Sequence, residues 1–359
     1  MQDTMKALVY HEPGVMLSEL CPIPQIAEDE LLIRVRAVGV CGSDVAYFFG
    51  RSPLDTPDGK GPLILGHEFS GEVAGIGAIP ASLGLFKAGD RVLANPVQNC
   101  GACSRCARKQ VNLCAHVRTT GVNQNGAFAE YTTLRYTHAH KIADGVSFEH
   151  AALCEPLACA CYGVQKLDVQ MGDSVVIFGP GAIGLMMLRL VKNRGAGIVA
   201  MVGVRDYVLK KAFAFGADAI YNTADASSEY YVPDTVHAIS RLTGGELADR
   251  VIVATAAKVA LQGALQVSGY KANIVYFGLP GEDTILEVPL LETLTKDKSI
   301  NMSWLAPFTW DDALKALRDS VVDMDALITH RFPLDRVEEA IRLIDDKSQP
   351  DKIKAIIRI

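Results

Sequence analysis

The chain has 359 residues, 49% of them hydrophobic and 21% charged, with a formal net charge of −6 at pH 7. That balance gives no electrostatic basis for binding nucleic acid or an anionic membrane, and the longest apolar stretch, Val251 to Val267, is broken by Lys258 and Gln262 before it reaches membrane-span length. The length exceeds what one hydrophobic core usually serves, so two domains of unequal kind are expected.

Met1-Gln2-Asp3-Thr4-Met5-Lys6 lacks the apolar core of a signal peptide, which reads as a cytoplasmic chain. From Met5 to about residue 156 the texture is short apolar runs cut by Gly, Pro and Asp. Lys6 to Tyr10, Leu31 to Val38, Gly71 to Ala74 and Asp90 to Leu93 read as strands, so this part is expected to be mostly β. Cys41-Gly42-Ser43-Asp44 follows the second of these strands, Gly66-His67-Glu68 precedes the third, and Cys154-Glu155-Pro156 closes the region. Each is ambiguous alone, since a single cysteine at a strand end is usually packing and a His-Glu pair between glycines is usually an exposed turn. Together Cys41, His67 and one or both of Glu68 and Glu155 supply the sulfur, nitrogen and oxygen ligands that a catalytic zinc accepts.

Nine cysteines, an odd number, favour thiolate–metal chemistry over cross-links in a cytoplasmic protein. Cys100, Cys103, Cys106 and Cys114 lie within fifteen residues and can close a tetrahedral zinc shell of the structural type. An iron–sulfur cluster is the alternative, weakened by the lack of a proline after the fourth cysteine and of a second cluster motif. Arg105, Arg108 and Lys109 in the same loop also fit a nucleic-acid-binding ribbon, although three charges in an acidic protein read more simply as a solvated face.

Val175-Val176-Ile177-Phe178 is a continuous apolar run of the kind buried on both faces of a parallel sheet. Gly179-Pro180-Gly181-Ala182-Ile183-Gly184 follows and then an apolar helical pattern, which fits the dinucleotide-binding G-x-G-x-x-G. The helix start offers N–H groups and a positive dipole end to a pyrophosphate. Gly197 to Val202, Ala219 to Asn222, Arg250 to Ala254 and Asn273 to Gly278 read as further strands, alternating with helical runs such as Val208 to Phe215. That alternation predicts a doubly wound parallel sheet. Asp311 to Arg318 and Arg336 to Ile344 have helical spacing and are expected to pack on the amino-terminal domain, with Ile353 to Ile359 as a last strand.

These motifs, in this order and across essentially the whole chain, resemble the zinc-dependent medium-chain dehydrogenases. Glu155-Pro156-Leu157, with Glu68 after His67, is similar to the polyol and threonine dehydrogenase branch, where liver-type alcohol dehydrogenases usually carry cysteine at the Glu155 position. The resemblance implies an α/β protein with a GroES-like β-rich catalytic domain over 1–156, a Rossmann domain over 157–298 and a carboxy-terminal return to the catalytic domain over 299–359. It also implies catalytic and structural zinc, a small-molecule alcohol or ketone substrate, and a homodimer or homotetramer. The implied reaction is reversible hydride transfer between a secondary alcohol and the nicotinamide. Cys41, His67, Glu68 and Glu155 serve the zinc and Ser43 hands the substrate's proton outward.

Within this resemblance an NAD enzyme places an acid about 20 residues beyond the glycines to hold the ribose 2′-OH. Counting back from Gly216-Ala217-Asp218, that position falls on Gly203, followed by Val204 and Arg205. Glycine leaves room for a 2′-phosphate and Arg205 can pair with it, so NADP(H) is expected over NAD(H). The counter-reading takes Asp206 as the ribose acid and Arg205 as a surface charge. Two departures from the family stand out. Relatives often have histidine where Ala46 stands, which leaves the proton path beyond Ser43 to water or the cofactor ribose. Sorbitol dehydrogenases carry an arginine near Ser303-Trp304-Leu305, and the Leu305 placed there favours a ring-shaped or less polar alcohol over sorbitol. Readings of other classes are a non-catalytic NADP-binding protein on the same fold and a zinc-stapled interaction module.

Overall fold

The computed structural model describes residues 3–52 and 61–359. Met1 and Gln2, which open the segment read above for a signal peptide, lie outside the described residues. The chain divides into two units, Met1–Pro156 with Met324–Ile359, and Leu157–Asp323.

The first unit is mostly β, as its short apolar runs predict. A seven-stranded sheet runs in the order Ala139–Lys141, Arg91–Ala94, Glu68–Ile76, Glu30–Gly39, Lys354–Arg358, Ile328–Pro333, with Tyr131–Arg135 also paired to Glu30–Gly39. A three-stranded sheet sets Thr4–Glu12 between Val15–Pro22 and Leu63–Ile64. The last strand enters the interior of the larger sheet, antiparallel to Glu30–Gly39 (Ile356 opposite Gly39) and parallel to Ile328–Pro333. Alternation along Glu30–Gly39 sends Leu31, Ile33 and Val35 into one core with Phe69, Phe128 and Ile357, and Val38, beyond a register shift between Val35 and Ala37, joins the same core.

The second unit is a six-stranded, wholly parallel sheet in the order Ala219–Asn222, Ile198–Gly203, Ser174–Phe178, Ala248–Val253, Ser268–Tyr276, Ser299–Met302. The order reverses between Ser174–Phe178 and Ala248–Val253, and such a switch point opens a crevice beyond the strands' carboxyl ends. The expected division at residue 298 differs from the structure. Ser299–Met302 pairs with Asn273 to Tyr276, because the β-prone run completes the parallel sheet's free edge. The helix Trp310–Arg318, expected on the catalytic domain, also belongs to this unit, where the buried Thr309 Oγ1 donates to Ala158 O at 2.9 Å. The return to the first unit begins at Met324. Among the described residues no helix is long and apolar enough to cross a membrane.

Candidate active site

In the first unit, the strand Glu30–Gly39 delivers Cys41 as the N-cap of the helix Gly42–Phe48. Asp44, in that helix's first turn and 1% exposed, takes the place where a carboxylate meets unpaired N–H groups and the positive dipole end. Its Oδ2 accepts from Cys41 N at 2.9 Å, its Oδ1 accepts from Gly66 N at 3.3 Å, and Oδ1 stands 3.5 Å from His67 Nδ1. Gly66 has φ +90° and a Cβ there would meet the Phe128 ring at 2.9 Å, so only glycine lets the chain turn and present His67 and then Glu68. The outcome is a group of three, Cys41, His67 and Glu68, whose candidate ligand atoms all lie within 4.8 Å of one another. His67 and Glu68 are buried and Cys41 is half-buried. Burial pushes the His67 pKa down, but the negative charges of Asp44 and Cys41 outweigh it and hold the imidazole well above its ordinary value.

Of the other expected residues, Ser43 is half-buried two positions beyond Cys41, on the same helical face as Ala46. Glu155 is buried in the first turn of the helix Cys154–Leu167 and stands outside the three-residue group.

One residue at this site escaped the sequence reading. Lys354, on the last strand, is 6% exposed, and its Nζ lies 2.6 Å from Glu68 Oε2 and 2.7 Å from Oε1 while donating to Val40 O at 2.9 Å. Burial would lower the lysine's pKa, yet Glu68, Cys41 and Asp44 raise it above its usual value, so the ammonium stays charged. Gly39, opposite Glu68 across the sheet, leaves the space the carboxylate uses: a Cβ there would meet Glu68 Oε2 at 2.1 Å.

Cys100, Cys103, Cys106 and Cys114 form a second group within the same 4.8 Å limit, and none is in a disulfide. Sulfur–sulfur separations of 3.6 Å (Cys103–Cys106), 3.9 Å (Cys103–Cys114) and 4.0 Å (Cys100–Cys106) suit a tetrahedron with metal–sulfur bonds of about 2.3 Å, whose edge is about 3.8 Å. Backbone N–H groups of Cys100 and His116 point at Cys114 Sγ, both at 3.3 Å, as they do where thiolates must be stabilised. The donor sets of both groups therefore fit zinc, one closed by four sulfurs and one mixed.

In the second unit, Gly179 leaves the strand Ser174–Phe178 with φ +95°, and Gly181 caps the helix Ala182–Asn193. A Cβ on Gly181 would meet nothing within 4 Å, which keeps the backbone open to a close ligand, whereas one on Gly184 would meet Gly179 O at 2.0 Å. Ala182 and Ile183 form the first turn between them. Gly203 ends the strand Ile198–Gly203, but the space beside it is filled: a Cβ there would meet Pro180 Cγ at 2.5 Å. The proline of the glycine loop therefore requires glycine at this position on its own account. Arg205 is half-buried at the N-cap of the helix Asp206–Ala214, and burial lowers its pKa. Asp206 Oδ1 accepts from Asn222 Nδ2 and Ser228 Oγ, both at 2.7 Å. Ser303, which follows the last parallel strand, has a buried hydroxyl with no hydrogen-bond partner among the described residues, and Leu305 sits at φ +60°.

Residues 27–144 match the alcohol dehydrogenase GroES-like domain family and residues 182–319 the zinc-binding dehydrogenase family. The chain is 31% identical to a D-arabitol-phosphate dehydrogenase of Enterococcus avium, over 99% of this chain and 98% of the relative. It is also 31% identical to a sorbitol dehydrogenase of Bacillus subtilis, over 94% of this chain and 93% of the relative. Among solved structures it resembles a protein of Sinorhizobium meliloti 1021, assigned as a zinc-binding dehydrogenase and bound to NADP, with a TM-score of 0.90, 27% identity and full coverage of both chains.

Proposed function

We propose, from the premise that the chain belongs to the zinc-dependent medium-chain alcohol dehydrogenases and stands in their polyol branch, that it interconverts a secondary alcohol and its ketone with NADP(H) as the hydride partner. The observation that carries this reading is the convergence of Cys41, His67 and Glu68 within 4.8 Å, backed by Asp44 and Lys354. Zinc bound there supplies a Lewis acid at the alcohol or carbonyl oxygen. Cys41 and His67 would be its protein ligands, and of the carboxylates Glu68 and Glu155 one would bind it directly and the other through water. Asp44 stands 3.5 Å from His67 Nδ1, which would leave Nε2 as the nitrogen offered to the metal. Lys354 offsets the charge of Glu68 in a site that also gathers Cys41 and Asp44.

Ser43 passes the substrate's hydroxyl proton outward, and with Ala46 in place of an imidazole, water or the cofactor ribose takes it onward. Backbone N–H groups at Gly181, Ala182, Ile183 and Gly184 receive the pyrophosphate. Arg205, two residues past Gly203, pairs with a 2′-phosphate, while Asp206 Oδ1 already accepts from Asn222 and Ser228. Leu305 and Trp304, where an arginine binds sorbitol in relatives, favour a cyclitol or another less polar polyol or amino-alcohol. The four-cysteine group holds a structural zinc.

A panel of polyols, cyclitols, amino-alcohols and sugar phosphates, read by reduced-nicotinamide absorbance with NADP+ and NAD+, tests the substrate and cofactor assignments. Activity is expected to be higher with NADP+. Mild chelation is expected to leave about one zinc per chain and to abolish activity with the fold intact. Full activity in the stripped protein overturns the catalytic assignment.

A further inference from the structure

Asn99 stands immediately before the first cysteine of the four-thiolate group. Its amide Nδ2 donates to Cys106 Sγ across 3.9 Å, and its Oδ1 lies 3.2 Å from His138 Nε2. The two contacts agree on one arrangement: Nδ2 faces the sulfur as donor, so Oδ1 faces the histidine as acceptor, and His138 carries its proton on Nε2. Nδ1 is then free to accept, and Thr137 Oγ1 donates to it at 2.9 Å. His138 is 7% exposed, and burial, helped by Arg135 and His140, lowers its pKa to about 4, so the ring stays neutral in this donor–acceptor role.

The same chain of bonds ties the loop to the seven-stranded sheet. His138 closes the short helix Tyr136–His138 between the strands Tyr131–Arg135 and Ala139–Lys141, and its carbonyl accepts from Asn95 N at 2.8 Å. Arg135 Nη1 donates to Asn99 O at 3.3 Å, and Arg135 N donates to Gln98 Oε1 at 2.9 Å. Asn99 thus both ties the cysteine loop to the sheet and touches a sulfur with its side chain.

We propose that Asn99 and His138 are positioning residues for the four-thiolate metal site: Asn99 donates to the Cys106 thiolate, and His138 holds Asn99 in the orientation that lets it do so. The inference rests on the structural-zinc reading above. An N–H donor offsets part of a thiolate's charge and fixes the sulfur in the position from which it binds the metal, and loss of such a partner typically weakens metal affinity by about 10–100-fold. Because His138 acts only through Asn99, removing both costs no more than removing Asn99 alone.

The test uses the full chain with the labile zinc first removed by mild chelation. Zinc per chain is measured, then the rate at which the remaining zinc passes to a chromogenic chelator is compared for wild type, Asn99→Ala, His138→Phe and the double variant. Each single variant is expected to release zinc at least tenfold faster than wild type, and the double variant no faster than Asn99→Ala. In cobalt-substituted protein, Asn99→Ala is expected to move the thiolate-to-metal charge-transfer band to lower energy, a change that loss of packing elsewhere would not produce. Release within twofold of wild type in Asn99→Ala, a double variant equal to the product of the singles, or an unmoved band overturns the proposal. A wild type that retains no zinc overturns the four-thiolate reading and this proposal with it, whereas retained zinc with unaltered variants overturns this proposal alone.

Discussion

Lys354 Nζ lies 2.6 Å from Glu68 Oε2 in the interior of the first unit, with the carboxylate side chain 1% and the lysine side chain 7% exposed. A pair so buried is costly to form but costlier to break, because loss of one partner strands the other's charge away from water. Lys354→Met is expected to lower stability by about 3–5 kcal/mol, the range found when one member of a buried pair is removed. Lys354→Met combined with Glu68→Gln is expected to recover part of that loss. Denaturant melts of the four proteins measure the coupling, and strictly additive losses would contradict the pairing.

Gly39→Ala tests the same relationship from the other side. The added Cβ would overlap Glu68 Oε2 at 2.1 Å and press on Lys354 Cε at 3.2 Å, so the carboxylate must move. We expect labile-zinc affinity and kcat to fall together, while the four-thiolate zinc is retained. Metal analysis beside steady-state rates decides it; unchanged rates would mean that Glu68 has no role at the metal.

Arg205→Ala is the clean probe of cofactor choice. Removing a charge-assisted contact to a 2′-phosphate costs about 1.5–3 kcal/mol, on the order of ten- to a hundredfold in NADP affinity, with NAD affinity nearly unchanged. Gly203→Asp is a poorer probe, because its Cβ would meet Pro180 at 2.5 Å and disturb the glycine loop for either cofactor. KM values for both cofactors give the answer: equal losses for NADP and NAD would remove Arg205 from the 2′-phosphate site.

Glu149 provides a pH signature. Its carboxylate receives Arg331 Nε at 2.8 Å and also meets Arg358 Nε, so one helix residue clasps both strands of the returning segment. Burial raises its pKa, but the hydrogen bonds and charges of Arg358 and Arg331 outweigh that and leave it below the usual value. A depressed folded pKa means stability that is fully present above the unfolded value, about 4.3, and is lost as pH falls through the folded one. Glu149→Gln should therefore melt below wild type at pH 7, with the gap closing as the pH drops below about 4. A gap that persists undiminished in acid would mean that packing, not charge, sets the difference.

Ser299–Met302 is the outermost strand of the parallel sheet, and Met302 within it and Leu290, Leu291 and Leu294 in the helix that precedes it in the chain are 59–77% exposed. An open strand edge next to exposed leucines suits pairing with a second copy about a two-fold axis. Light scattering should give at least twice 38.6 kDa, and Leu291→Glu with Leu294→Glu should lower it; a single-chain mass for wild type would sink the homo-oligomer reading.

The glycine loop and the four cysteines are legible in the sequence because each function sits in contiguous residues. Gly179 to Gly184 contains the turn, the open backbone and the helix start together, and Cys100 to Cys114 holds a complete ligand set. Strands such as Glu30–Gly39 and Ser174–Phe178 are legible for a related reason, since their apolar patterns follow from which faces are buried. Lys354 is not legible. It lies 286 residues from Glu68, and a lysine opening a terminal strand reads as solvated until the sheet order places that strand in the interior, beside Gly39. The same holds for Gly203, whose neighbour Pro180 is supplied by an adjacent parallel strand's loop, and for Ser299–Met302, whose membership depends on a vacant sheet edge. Local chemistry follows from spacing along the chain. A buried charge, or a glycine forced by another residue's ring, depends on contacts between distant segments, and those exist only once the sheets have assembled.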